Sequence, residues 1–143
     1  TNESVSALLA EDPGTYEGRI EMAVATARSF SGGGFPFDEE ETRQRMIESI
    51  ERSWHPEGQA RQGAAVIADG DRTEGLRKVK TPTLVIHGTA DPLVVPLAGQ
   101  ETFDAIPEAK MLWIEGMGHE LPEGAWEEMI QAITDLINTA EKN

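Results

Sequence analysis

The sequence has no cysteine in its 143 residues. That excludes a disulfide framework and any thiolate zinc site, and it leaves the redox compartment open. Basic residues are few: 12 Lys and Arg stand against 26 Asp and Glu, a formal net charge of -14. A chain so acidic repels phosphate backbones and anionic lipid surfaces, so neither nucleic acid nor a membrane is expected as a partner. Long apolar runs are missing as well. No stretch approaches the ~18 consecutive apolar residues of a spanning helix, and the opening Thr1-Asn2-Glu3-Ser4 lacks the basic and apolar regions of a signal peptide. The expectation is a soluble, cytoplasmic protein. What is present, 38% hydrophobic and 27% charged residues over a one-domain length, describes a globular chain able to bury a modest core. The chain opens on Thr1 instead of methionine, which suggests processing or a piece cut from something longer.

The first half has the pattern of helices. Tyr16, Ile20, Ala23, Val24, Ala27 and Phe30 recur at steps of three and four, one face of an amphipathic helix. The run Ser31-Gly32-Gly33-Gly34-Phe35-Pro36 predicts a loop, because glycines raise chain entropy and Pro36 removes a donor. Asp38 fits an N-cap with Glu41 three residues on, and Glu39, Glu40 and Glu41 place negative charge at the positive end of the helix dipole. Met46, Ile47, Ile50 and Trp54 supply that helix with its apolar stripe. Pro56 suits the first turn of a third helix, which carries Ala60, Ala64, Val66 and Ile67 before Gly70 ends it. A short helical stretch is expected from Glu74 to Val79.

At Pro82 the pattern changes. Thr83-Leu84-Val85-Ile86-His87 is a continuous, β-branched run that fits a strand buried on both faces, and Lys110-Met111-Leu112-Trp113-Ile114 is a second. Leu97 to Ile106 is long enough for a helix between them, and such a strand, helix, strand unit pairs its strands in parallel. A last helix follows Pro122, with Trp126, Met129, Ile130, Ile133, Leu136, Ile137 and Ala140 in helical period. The domain reading is a helical region over 1–78 and an α/β segment over 79–143, with no repeat and no low-complexity tract.

Functional residues of parallel sheets collect beyond the carboxyl ends of the strands. Asp91, in His87-Gly88-Thr89-Ala90-Asp91-Pro92, and His119, in Glu115-Gly116-Met117-Gly118-His119, both occupy that place. A carboxylate that fixes one ring nitrogen of a histidine leaves the other free to take a proton, the acid and base of a nucleophile, base and orienter triad. Taken singly, Asp91 before Pro92 is a turn initiator and His119 a surface or capping histidine. Their joint placement after β-like runs in neighbouring loops is compatible with the triad. His87 is read as a packed structural histidine and His55 as exposed. A metal set of Asp91, His119 and His87 lacks paired-histidine spacing. The glycine run lacks the lysine and strand of a phosphate loop and is read as a hinge, and the three tryptophans as core anchors.

The run from Pro82 to Val94, followed by Ile114-Glu115-Gly116-Met117-Gly118-His119-Glu120-Leu121-Pro122, resembles the C-terminal part of the α/β-hydrolase family. The resemblance is strong from Lys78 onward and looser before. Within the family it resembles small esterases such as the aclacinomycin methylesterase group. It implies an α/β fold of two parallel strands with packed helices, with Asp91 and His119 as the acid and histidine of a catalytic triad. The preceding helices resemble the cap that many such enzymes insert over the active site. Met22, Phe30, Phe35, Phe37 and Met46 are cap candidates for lining an acyl pocket. The implied substrate is a small-molecule ester, hydrolysed without a cofactor or metal.

One part of the family pattern is missing. No G-x-S-x-G nucleophile elbow occurs, and the nearest string, Ser29-Phe30-Ser31-Gly32-Gly33, lacks the first glycine and follows a helical segment. The expectation is a hydrolase portion, inactive alone, whose nucleophile comes from an N-terminal portion or a second chain. The competing expectation is a non-catalytic oligomerising or interaction module, a homodimer among its forms, built on an exposed sheet edge.

Overall fold

The computed structural model describes residues 4, 6, 7 and 10–141; Thr1, Asn2 and Glu3, read above for the lack of a leader, lie outside them, as does the end of the 79–143 segment. The described residues fall into two units: those of Thr1–Ser29 with Phe37–Arg72, and those of Phe30–Pro36 with Thr73–Asn143.

The first unit is helical. It holds α1 (Tyr16–Phe30, its last residue counted with the second unit), α2 (Glu39–Arg52) and α3 (Pro56–Asp69). Helix α1 buries Ile20 and Val24, one turn apart on one face. The N-cap expected of Asp38 forms: its Oδ1 accepts from the Glu41 amide at 2.9 Å, ahead of three glutamates in the first turn of α2. Tyr16 donates to Glu51 and Arg43 pairs with Glu21, while Arg28 pairs with Glu39. As positions climb along α1 they fall along α2, so the two helices run antiparallel. Trp54 is not the core anchor expected. It is half-buried, its indole N–H donates to Asp12 at 3.3 Å, and the Arg19 guanidinium lies 5.1 Å from its ring centroid. Helix α3 starts on Pro56 as predicted but buries nothing, with Val66 and Ile67 74% and 84% exposed.

The second unit runs α4 (Thr73–Leu76), β1 (Leu84–Gly88), α5 (Pro96–Ala105), β2 (Lys110–Ile114), a 3-10 turn (Glu123–Ala125) and α6 (Trp126–Ala140). The strands pair in parallel, in a register that sets Leu84 against Lys110 and Gly88 against Ile114. This is the strand, helix, strand unit that the sequence predicts. The expectation of full burial for β1 fails, because Leu84 to His87 are only half-buried. The sheet has two strands among the described residues, so each strand has one edge without a ladder partner. The core is Ile114, Met117, Ala125 and Met129, with Phe35, Ile86 and Leu112 packed against it; burying each large side chain contributes about 1.5–3 kcal/mol.

Helix α6 is apolar on more than the face it buries. Met129 is inside, whereas Trp126, Ile130, Ile133 and Ile137, at steps of four, three and four, are 45%, 60%, 44% and 52% exposed. Trp126 therefore departs from the core role expected of it. Its indole N–H donates to the Leu121 carbonyl at 2.9 Å, which holds the ring at the surface. No helix among the described residues is long and apolar enough to cross a membrane.

Candidate active site

The parallel register brings the carboxyl ends of β1 and β2 to the same level, and the chain leaves each into a loop. Backbone hydrogen bonds join the two loops. The Thr89 amide donates to Ile114 O and the Ala90 amide to Met117 O, both at 3.0 Å, and the Gly116 amide donates to Thr89 Oγ1 at 2.9 Å. Such an approach requires glycine at position 88, where a Cβ would lie 2.1 Å from Met117 O.

Asp91 is buried at the tip of the first loop, 6% exposed. Pro92 biases it away from helical backbone. Its Oδ1 accepts from the amides of Leu93 and Val94, both at 2.9 Å, so one carboxylate oxygen is committed to its own loop and the side chain is fixed. The other oxygen, Oδ2, is 2.8 Å from Nδ1 of His119. An ionised carboxylate only accepts, so Nδ1 carries the proton and Nε2 keeps its lone pair in the neutral ring. A hydrogen bond to such a charged group contributes about 1.5–3 kcal/mol. The His119 side chain is 42% exposed, and its Nε2 makes no hydrogen bond among the described residues. The two residues singled out by the sequence thus meet, in the geometry of an oriented base with a free nitrogen.

The histidine loop is also held from the other side. The His119 amide donates to Phe30 O at 2.8 Å and the Gly34 amide to Gly116 O at 3.0 Å. The Phe30 ring meets the imidazole edge-on, with centroids 5.9 Å apart. Glu120 sends Oε1 to the amides of both Gly32 and Gly118, each at 3.2 Å. A Cβ on Gly32 would lie 2.4 Å from the Gly118 nitrogen. The glycine run expected as a hinge therefore supplies backbone that lies against the histidine loop, and Phe30–Pro36 belongs to the second unit. Sequence reasoning missed Glu120, because the amide that reveals its role on Gly32 is 88 residues away along the chain. Its Oε2 is buried with no hydrogen-bond partner among the described residues. Leaving such an acceptor unpaired costs about 1–3 kcal/mol, so Glu120 is better explained by where it holds the loop than by net stability.

His87 does not join the pair. Its Nε2–H donates to Val94 O at 2.9 Å, its ring meets Trp113 edge-on, and it stays 3.7 Å from Asp91 Oδ2. This is the packed structural histidine expected of it, and His55 is exposed at the head of α3, also as expected. Among the described residues no group of three or more His, Asp or Glu could hold a metal ion. Neither serine of the rejected elbow string bonds His119: Ser29 Oγ donates to Thr26 O and Ser31 Oγ accepts from the Gly33 amide. Of the pocket candidates, Phe30 touches the site. Phe35 packs on the Ile114 cluster, Phe37 lies under the Arg28 guanidinium, and Met22 and Met46 are half-buried in the first unit.

Residues 38–123, more than half of the chain, match the serine aminopeptidase S33 family. The chain is 32% identical over 136 residues to the rhodomycin D methylesterase DauP of Streptomyces sp. (strain C5), covering 88% of this chain and 42% of that protein. It is 29% identical over 126 residues to the rhodomycin D methylesterase DnrP of Streptomyces peucetius, with the same shares of 88% and 42%. Among solved structures, an esterase from Rhodococcus sp. matches with a TM-score of 0.69 at 21% identity, over 98% of this chain and 48% of that one. An esterase from Exiguobacterium antarcticum matches with a TM-score of 0.62 at 19% identity, over the same shares of 98% and 48%. The chain spans less than half the length of these relatives. It belongs to the serine aminopeptidase S33 family and has the α/β-hydrolase fold.

Proposed function

We propose that this member of the S33 family supplies the acid and the histidine of a serine hydrolase acting on a small-molecule carboxylic ester. Asp91 orients His119, and His119 serves first as general base and then as general acid. The observation that supports this reading is the 2.8 Å contact between Asp91 Oδ2 and His119 Nδ1, with Nε2 unpartnered among the described residues. In the first step Nε2 takes the proton of a serine hydroxyl as its oxygen bonds to the ester carbonyl carbon, and the carbonyl electron pair moves to oxygen. Asp91 holds the imidazolium that forms. Collapse expels the alcohol, which takes the proton from Nε2, and water releases the acyl group by the same exchange.

The serine is proposed to come from a portion beyond this sequence or from a second chain, since the 143 residues contain no G-x-S-x-G. Residues 1–78 are assigned to a helical cap-like region and 79–143 to the hydrolase core segment. Without a nucleophile and aimed oxyanion donors the chain alone is expected to be inert, because one lost donor already costs ~3 kcal/mol. The test combines the chain with the nucleophile-bearing portion and assays p-nitrophenyl esters and labelling by a fluorophosphonate probe. Turnover and labelling, with turnover lost in His119→Ala, are the expected results. A folded complex that neither turns over nor labels contradicts the proposal.

The apolar stripe Trp126, Ile130, Ile133 and Ile137 on α6 and the open sheet edges favour a second reading, a non-catalytic module that associates through these surfaces, as a homodimer or on another polypeptide. A folded complex that the probe leaves unlabelled would support it. A monodisperse monomer by light scattering at micromolar concentration would oppose it.

A further inference from the structure

The second unit distributes its charge unevenly. Its only described Lys and Arg residues are Arg77, Lys78, Lys80 and Lys110, and all four line one cavity of about 430 Å³. This lies within the usual volume of small-molecule sites, about 300–1,000 Å³. The cavity is at the amino ends of the strands, since Lys110 opens β2 and its amide donates to Thr83 O just ahead of β1. Asp91 and His119 lie beyond the opposite ends, about 16 Å away along five-residue strands.

None of the four makes an ion pair among the described residues, although the chain has 26 carboxylate side chains. In the first unit, by contrast, five of the seven arginines, Arg19, Arg28, Arg43, Arg45 and Arg72, are paired, and Arg52 and Arg61 make no ion pair among the described residues. Four like charges around one concavity repel each other, a cost that a counter-anion in the cavity removes. One carboxylate, Glu108, also lines it, so the cations outnumber acids there four to one. Glu108 is the one non-glycine residue described with positive φ, at 59°. Backbone held in that region costs about 1–3 kcal/mol and tends to collect at ligand sites.

We propose that this cavity is a binding site for a small phosphate-bearing anion, separate from the Asp91–His119 site. The overall charge of -14 repels extended polyanions, while a compact anion of two or more charges fits the local excess of ammonium and guanidinium groups. The proposal does not rest on the hydrolase reading, and a failure of either leaves the other standing.

The experiment titrates the chain with inorganic phosphate and with a sugar phosphate at constant ionic strength. Chloride serves as the control, and amide NMR as the readout. Saturable shifts are expected at Thr83 and Lys110, with none at Gly118 or His119. The affinity should fall at least fivefold in Lys80→Gln and in Lys110→Gln, exposed positions where the fold is retained. Equal saturation by both ligands identifies free phosphate as sufficient, and saturation by the sugar phosphate alone identifies an organic phosphate. Shifts that do not saturate, that chloride reproduces, or that survive in a Lys80→Gln/Lys110→Gln double variant overturn the proposal.

Discussion

In the helical unit five of seven arginines are engaged by carboxylates, at half-buried or exposed positions, and among the described residues only Ile20 and Val24 are buried apolar side chains. In the α/β unit no Lys or Arg is paired among the described residues; its loops are joined by backbone amides, and a small apolar core lies beneath them. Exposed ion pairs are worth little and tolerate rearrangement. Backbone contacts at van der Waals distance do not, and this rigidity is what an oriented acid and base require. The difference shows that the site depends on close main-chain packing, with charge left to decorate the helices.

The sharpest break in that comparison is at the acid. Asp91→Asn keeps the shape of the side chain but gives Nδ1 an amide partner in place of a carboxylate; in the proposed assembled hydrolase kcat should fall by about 10³–10⁴, the scale seen when a triad acid is neutralised. Steady-state kinetics on the complex checks this, and a fall below tenfold would place the acid elsewhere. Gly88→Ala is next. With its Cβ 2.1 Å from Met117 O, it should cost about 3 kcal/mol of overpacking, read as a lowered midpoint in urea denaturation. Glu120→Ala should then release the amides of Gly32 and Gly118, speeding their hydrogen exchange about tenfold as ~1.5 kcal/mol of hydrogen bonding is lost. Glu120→Gln, which keeps an acceptor, should retain most of the protection, and equal exchange in all three proteins would remove Glu120 from the loop's support.

The same scale applied to the helical unit should give small numbers. Arg43→Ala breaks the 2.7 Å pair with Glu21 and is expected to cost less than about 1 kcal/mol, by the same denaturation measurement. The smallest effect is at Asp12. The Arg19 hydrogen bond, helped by the Gly14 amide, holds its carboxyl down at about 2, below the ordinary 3.8. A depressed acid stabilises the fold above its unfolded value and loses that contribution as pH falls through the folded one. Asp12→Asn should therefore narrow the gap between stability at pH 5 and at pH 2, and an unchanged acid titration would show the pair to be without effect.

The sequence carried the helices and the strand, helix, strand order because periodicity and caps are local: Asp38 capping Glu41 and the step-of-four pattern of α1 are visible within a few residues. Asp91 and His119 were legible for a related reason. Each follows a β-like run, parallel pairing brings the two loops to one level, and the resemblance to the α/β-hydrolase family singles out the pair. What stayed hidden is set by distant chain. Leu84 to His87 are composed as a doubly covered strand yet are half-buried here, and Trp54 and Trp126, apolar by composition, keep their N–H groups on surface acceptors. The role of Gly32 and Gly34 became visible only with Gly116 and Gly118 against them, since a glycine run has the same composition whether it bends freely or packs backbone on backbone.

The central claim is that Asp91 holds the His119 proton on Nδ1 and leaves Nε2 bare. A long-range ¹H–¹⁵N spectrum of the imidazole in the folded chain at neutral to mildly alkaline pH measures it directly. The account predicts a protonated Nδ1 with a downfield, slowly exchanging proton that disappears in Asp91→Asn, and an unprotonated Nε2. A neutral ring found with its proton on Nε2, or averaging freely between the two nitrogens, would contradict it.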